Sequence, residues 1–574
     1  MKNLRNIFLT LLVAGSMASC NFLDQEPNVI CAETFYSSRS EALYGLAGVY
    51  GVINSLQLYG RDYSLYLNGV DDLSYYNRSI STQFSNFFQH DASTAEVYNS
   101  WVWLYMGIKN ANAFMDAMKD SDLDEDGALY TEARFLRAYY HFLLAQSWGD
   151  VPLRKQSVTS YELTNIAATK QYDVLTWTIK EMEDCLGKLP VSADGTPSRV
   201  NAAIAKGIIA RVCLFTAGET VKGDKTGLYA KAASYAKEII DDPTYSLNPS
   251  YAQVFINMIS DIYDTQYHES MWEADFVGDR TDADSWSNGT IGCMIGLQST
   301  NVENIEGNKC NYTYGMYNGS LKLWDLYWQT DRTEDETQLE TVTDLRQEWN
   351  LPPYNYAGYT GSSAVYPYGG DPSDGKPKNS VDKTPYTMLL DGKFTTTNEN
   401  PLACAGNRNC GKWRREIAYE PLSSVAKAQF TQINFPILRY SDVLLMFAEA
   451  DLENTGAVSQ EAYDAVKAVR DRAGIKTCDI AEYDAASFRQ LIRNERGREL
   501  CFEALRKFDL IRWGIFTDSM KDYSRYAGDD RWSAVTTTAY ALNMASFVKA
   551  RHILMPIPNI ELGVNTLLKQ NELW

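Results

Sequence analysis

Residues 95–118, AEVYNSWVWLYMGIKNANAFMDAM, and residues 128–147, ALYTEARFLRAYYHFLLAQS, decide the fold between them. In the first, Trp101, Leu104, Tyr105, Ile108 and Ala111 recur at steps of three and four, which lines them along one face of an α-helix. The second carries a similar stripe. Only a short polar stretch ending in Gly127 separates them, so the two helices must fold back on each other as an antiparallel pair.

The pattern spreads outward from this pair. Ser40 to Leu56 is helical by the spacing of Leu43, Leu46, Ala47, Tyr50 and Ile53. Further helices are predicted at Tyr172 to Leu186, Asn201 to Ala217 and Leu228 to Ile240. After a long gap they resume at Ser441 to Glu453, Ser459 to Ala473 and Ala485 to Leu505. Stacked pairs of this length predict a mostly α, divergent helical-repeat scaffold, although no strict repeat signature is present. Between Pro243 and Pro436 the periodicity fades into turn residues. Tyr354, Tyr356, Tyr359, Tyr366, Tyr368 and Tyr386 stand there among Gly, Pro, Ser and Asp, the composition of a loop-rich, irregular ligand-binding insertion. The expected division is residues 34–242 for the first helical part, 243–436 for the insertion and 437–574 for the closing helices, with 34–574 forming one compact unit.

The amino terminus reads as an export signal over residues 1–19. Lys2 and Arg5 precede an apolar run from Ile7 to Ala14 that is too short to span a bilayer. Met17-Ala18-Ser19-Cys20 follows, small residues leading into a cysteine that is the expected lipidation site, with Met17 where Leu is usual. Residues 20–33 are the expected lipidated tether. Acyl chains contribute about 0.8 kcal/mol per buried methylene, so two or more on Cys20 would hold the chain firmly to a membrane.

Composition narrows the function. A formal charge of −20 argues against nucleic acid and against adhesion to anionic lipid. The nine cysteines beyond Cys20 show no CxxC spacing; Cys213 and Cys501 fall in helical apolar patterns, and Cys404 and Cys410 flank a loop where they could pair. Catalytic motifs are missing. The four histidines, His90, His141, His268 and His552, lack metal spacing, and no GxSxG, Walker loop or GxGxxG occurs. His141 sits in an apolar helical phrase and is expected to be a packing residue. No cofactor is implied.

Two charged patterns are expected to be structural. Asp122, Asp124, Asp126 and Gly127 match the first half of a calcium loop, but its twelfth position falls on Ala133, so a solvated interhelical turn that also caps the next helix is favoured. Glu495, Glu499 and Glu503 form one acidic helical stripe, with Arg496, Arg506, Asp509 and Arg512 expected to neutralise it. Glu132, Arg134 and Arg137 are expected to fasten their helix to its neighbours.

A sugar site needs flat rings flanked by groups that hydrogen-bond hydroxyls, carried on loops. Two segments have that chemistry. The first contains Asp72, Tyr75, Tyr76, Asn77 and Arg78. The second runs from Trp286 to Trp328 and includes Asn311, Tyr314, Tyr317 and Trp324. The expected ligand-binding residues are Asp72, Tyr75, Asn77, Arg78, Trp286, Asn311, Tyr314 and Trp324, while packing is the competing role for any single ring. Trp324 and Trp328, four apart, look like a helix face.

Several phrases together resemble the SusD/RagB family. They are Glu132-Ala-Arg-Phe-Leu-Arg-Ala-Tyr-Tyr140 leading to Gly149-Asp-Val-Pro-Leu153, Arg439-Tyr-Ser-Asp-Val-Leu-Leu-Met-Phe-Ala-Glu-Ala450, Asn494-Glu-Arg-Gly-Arg-Glu-Leu-Cys-Phe-Glu503 running into Arg506-Lys-Phe-Asp-Leu-Ile-Arg-Trp-Gly514, and the closing Leu554-Met-Pro-Ile-Pro558 with Gln570-Asn571. The resemblance spans nearly the whole chain and thins from about Thr281 to Pro436. It implies tetratricopeptide-like helices and a surface lipoprotein of the outer membrane that captures glycans without being an enzyme. It also implies a TonB-dependent transporter of the SusC type as partner, with Asp24 and Glu26 resembling the signal for the outer leaflet. A peptide-capturing member, a lipoprotein glycosidase or lyase and a pure assembly scaffold remain the alternatives.

Overall fold

The computed structural model describes residues 36–158, 160, 165–191, 197–276, 289–298, 302–303, 309–310, 313–328, 344–352, 354–356, 383–385, 387–388, 394–395, 408–415, 429–529 and 538–574. Cys20, its tether, Cys404 and most of the tyrosine-rich stretch lie outside them.

The helices that place the site are α1 (Arg39–Tyr50), α2 (Ala95–Met118), α3 (Ala128–Trp148), α4 (Gln171–Glu183), α5 (Ala202–Ala217), α6 (Leu228–Ile240), α7 (Tyr251–Ile259), α8 (Leu321–Trp328), α9 (Tyr440–Thr455), α10 (Gln460–Arg472), α11 (Ala485–Leu500) and α12 (Arg506–Arg512). From α1 to α6 each helix packs on the one before it, and α9 continues the array by packing on α6 and then against α10 and α11. The expected tetratricopeptide-like helical array is therefore present. Its core is one cluster of buried side chains running from Ala42 to Leu568. Trp101, Leu104, Ile108 and Ala111 of α2 are buried, as the stripe predicts. Close approach of α2 and α3 depends on Gly107, where a Cβ would sit 2.6 Å from the Tyr140 ring.

Local chemistry starts and stops these helices. Asp124 is buried at the head of α3, where its carboxylate accepts from Leu129 N at 3.0 Å and Tyr130 N at 2.8 Å, so the calcium-like sequence is a helix cap. Asn201 caps α5 by accepting from Ile204 N. Arg134 and Arg137 both pair with Glu181 of α4, and Glu132 pairs with Arg199 and accepts from Tyr50 Oη. The closing segment clasps the end of α3: Asn571 Nδ2 donates to the carbonyls of Trp148 and Met555, and Trp148 Nε1 donates to Pro556 O. His141 is fully buried, with Nδ1 against Arg137 O and Nε2 accepting from Arg154 N, and burial pushes its pKa down to about 3.

Three expectations are corrected. The helix predicted over Ala485 to Leu505 ends at Leu500, because Phe502 and Ala504 adopt left-handed backbone with φ of 63° and 56°, and α12 starts afresh at Arg506. The acidic stripe is neutralised by different arginines from those expected. Glu499 meets Arg346, Arg439 and Arg472; Glu495 meets Arg346, Arg470 and Arg498; Glu503 meets Arg439 and Lys412. Arg496 lies one residue, and so about 100°, around the helix from Glu495. It faces Asp442 and Asp509 instead, while Arg512 pairs with Glu449 and Asp509. Cys213, Cys410 and Cys501 are buried free thiols, which removes Cys410 from a loop disulfide.

Four strands matter: β1 (Ser74–Tyr76), β2 (Ser270–Ala274), β3 (Tyr317–Gly319) and β4 (Phe435–Arg439). Antiparallel β2 and β4 carry Arg439 into the buried ion network. Antiparallel β1 and β3 build the site.

Candidate functional site

The two segments singled out for sugar-compatible chemistry meet edge to edge. Ser74 pairs with Gly319, Tyr75 with Asn318 and Tyr76 with Tyr317, and Asn77 N extends the ladder to Met316 O at 2.8 Å. Because successive strand side chains point to opposite faces, Tyr75 and Tyr76 have separate fates. Tyr75 is fully buried and its hydroxyl accepts from Asn318 Nδ2 at 3.2 Å. Tyr76 lines an open cleft of about 360 Å³ together with Arg78, Thr82, Gln298, Tyr314 and Met316.

An amide cluster behind the strands holds the cleft wall. Asn77 Nδ2 donates to Gly315 O and Asn318 Oδ1, both at 2.7 Å, and Asn409 Nδ2 donates to the same two oxygens. Asn409 Oδ1 in turn accepts from Gln298 N. Three distant stretches of chain are thereby locked together, with Asn77 Oδ1 the one amide oxygen of the cluster left without a partner among the described residues. At the cleft surface, Arg78 Nη2 donates to Tyr314 O at 2.7 Å, and the Tyr76 hydroxyl lies 3.2 Å from Thr82 Oγ1. Burial raises the Tyr76 pKa, so the phenol stays neutral and able to donate.

Gly315 stands at the tightest point. Its φ is +56°, and an added Cβ would lie 2.8 Å from Gln298 N. Gly315→Ala is expected to lower stability by about 1–2 kcal/mol, the cost of a left-handed alanine, while displacing Gln298 from the wall. Denaturant titration reads the first effect, and an unchanged midpoint would contradict the close approach.

Below the strands lies an ionic floor. Asp72 is fully buried, receiving Arg506 at 2.9 and 3.0 Å and Lys322 at 2.8 Å. Burial raises its pKa, but Arg506 and Lys322 outweigh burial and hold it down to about 2. Its neighbour Asp71 is pushed up to about 7 by burial and by the Asp72 charge.

The predicted residues therefore divide by position. Arg78 and Tyr314 are half-buried and line the cleft. Asp72, Tyr75 and Asn77 are buried among protein partners and do not line the cleft. Trp324 is likewise buried, in α8, with the Arg408 guanidinium 4.7 Å from its ring centre. Trp286 and Asn311 lie outside the described residues. Thr82, Gln298 and Met316 escaped the sequence reading. They carry no ring or charge; Thr82 is a chain neighbour of Arg78, whereas Gln298 and Met316 come beside it only through the tertiary fold. The lining offers the part-exposed Tyr314 ring and several donors, with Tyr76, only 2% exposed, packed into the wall, a set able to meet a sugar ring and bond its hydroxyls.

Comparison with known proteins gives a consistent picture. A family model described as SusD family matches residues 268–574, and one described as starch-binding associating with outer membrane matches residues 21–214. SusD-like protein P25 of Formosa agariphila is 24% identical over 614 residues, covering 99% of this chain and 98% of its own. A SusD homolog from Bacteroides thetaiotaomicron superposes with a TM-score of 0.76 at 23% identity, over 95% of this chain and 98% of that one. A laminarin-binding SusD-like protein gives a TM-score of 0.64 at 19% identity, over 94% and 100%.

Proposed function

Because this chain belongs to the SusD family, we propose that it captures glycan chains at the cell surface and delivers them, chemically unchanged, to a SusC-like TonB-dependent outer-membrane transporter. The observation that carries this reading is the cleft beside β1 and β3, where Tyr314 offers a ring and Arg78, Thr82 and Gln298 offer hydrogen-bonding groups from a rigid base. Rigidity matters because a preformed site loses little conformational entropy when ligand arrives. The laminarin-binding relative supports a saccharide ligand, and the outer-membrane wording of the second family model supports the location.

Anchoring falls to Cys20. A lipid on that residue would hold the body at the outer leaflet, and the tether over residues 20–33 would keep it at high effective concentration beside its transporter.

A panel of purified polysaccharides tests the reading. Retardation in affinity gels by at least one glycan, with no release of reducing ends or unsaturated products, is the expected result. Product release would make the protein an enzyme. Affinity for peptides alone would move it to the peptide-capturing branch.

A further inference from the structure

From the charge of the cleft we propose that the site takes acidic glycans, those bearing a uronic acid carboxylate or a sulfate ester, with Arg78 receiving the anionic group. This rests on the glycan-capture reading and narrows its ligand class.

The molecule carries a formal charge of −20, so an anionic chain meets general repulsion at its surface. The cleft departs from that background. Among its described lining residues, Tyr76, Arg78, Thr82, Gln298, Tyr314 and Met316, the only formal charge is positive, and none is a carboxylate. Several other part-exposed arginines are matched to acids, Arg134 to Glu181, Arg211 to Asp442 and Arg489 to Glu453, while Arg493 and Arg551 lie over the Trp513 and Trp574 rings rather than in a cleft. Arg78 has no such match among the described residues. Its one hydrogen bond there runs from Nη2 to the neutral carbonyl of Tyr314, which orients the guanidinium and leaves its charge uncompensated.

A guanidinium presents five donors in a planar fork that fits the paired oxygens of a carboxylate or sulfate. The half-buried setting strengthens such a pair relative to open water, while the neutral partners at hand, Thr82, Gln298 and Tyr314, suit the hydroxyls of the same sugar. A neutral glycan would leave the Arg78 charge partly desolvated without compensation, so the two ligand classes are separated from both directions.

Titration calorimetry on the full soluble body should use a uronic acid oligosaccharide, its carboxyl-reduced neutral counterpart and a sulfated oligosaccharide of similar length. At least one anionic ligand is expected to bind about tenfold or more tightly than the neutral one, the scale of one charge-assisted hydrogen bond. Raising the salt concentration should shrink that ratio. Arg78→Gln should bring the ratio close to one, and Arg78→Lys, which keeps the charge and loses the fork, should restore part of it. Thermal unfolding of both variants checks that the fold is kept. Which anionic arm binds identifies the group received. Equal affinity for acidic and neutral glycans, or a ratio untouched by Arg78→Gln, would overturn the acid preference and leave glycan capture standing. Absence of binding to every glycan, including a broad neutral panel, would overturn both.

Discussion

Glu499→Ala should lower the stability of the fold by about 3–5 kcal/mol, the usual loss when one partner is removed from a buried ion network. Glu499 has no exposed surface and meets three guanidiniums, Arg346 at 3.0 Å, Arg439 at 2.9 Å and Arg472 at 2.6 Å. Burial raises its pKa, yet Arg472, Arg439 and Arg346 outweigh burial and hold it well below the ordinary carboxylate range. Deleting the carboxylate takes a shared anion from three buried cations that arrive from separate parts of the chain, the segment after Asp344, strand β4 and helix α10, and leaves them to Asp344, Glu495, Glu503 and Glu269. A fall in the denaturant midpoint with an unchanged slope is the expected signature. A loss below about 1 kcal/mol would mean that the remaining Glu269, Glu495 and Glu503 re-pair the arginines without it. The network also explains why Arg346 and Lys412, both in the otherwise loop-rich insertion, are buried against the closing helices.

Asp72→Ala should cost a similar amount, about 3–5 kcal/mol, and should loosen the cleft as well. Asp72 lies under the strand pair and is its ionic tie to α12 through Arg506 and to α8 through Lys322. Ser320 Oγ, just beyond β3, also donates to the Asp72 carbonyl at 2.9 Å. With the carboxylate gone, Arg506 keeps its bond to Arg493 O and its place over the Trp513 ring but has no anion in contact, and β1 loses its anchor. The expected result is a lower unfolding midpoint together with weaker glycan binding, although Asp72 touches no ligand. Asp518→Ala, which removes an exposed surface pair with Lys521, is the matched control and should change stability by less than about 1 kcal/mol. If Asp72→Ala behaves like that control, the ionic floor is dispensable.

Burial separates the residues that sequence chemistry singled out: both segments reach one cleft, but several of their residues do not line it. Asp72, Tyr75 and Trp324 have the residue types of a sugar site, but each is spent on holding its own segment in place. Tyr75 and Tyr76 are chemically identical neighbours, and nothing in the sequence says which strand face turns inward. Arg78 and Tyr314, a charge and a ring on loops flanked by helices, are the predicted residues that line the cleft. Gln298 and Met316 were not legible in the sequence, since their relevance comes from pairing across more than two hundred residues.

By itself the sequence determined the helical array, its short-linker pairing, the capping turn before α3 and the family resemblance. These depend on interactions between residues a few positions apart, where periodicity is a direct record of geometry. The tertiary structure decided which carboxylate meets which arginine and where the cleft opens. Arg506 reaches Asp72 across 434 positions, and Arg439 reaches Glu503 across 64. A charge carries no address for so distant a partner; packing of the helices brings the two within reach, and burial then makes the match obligatory.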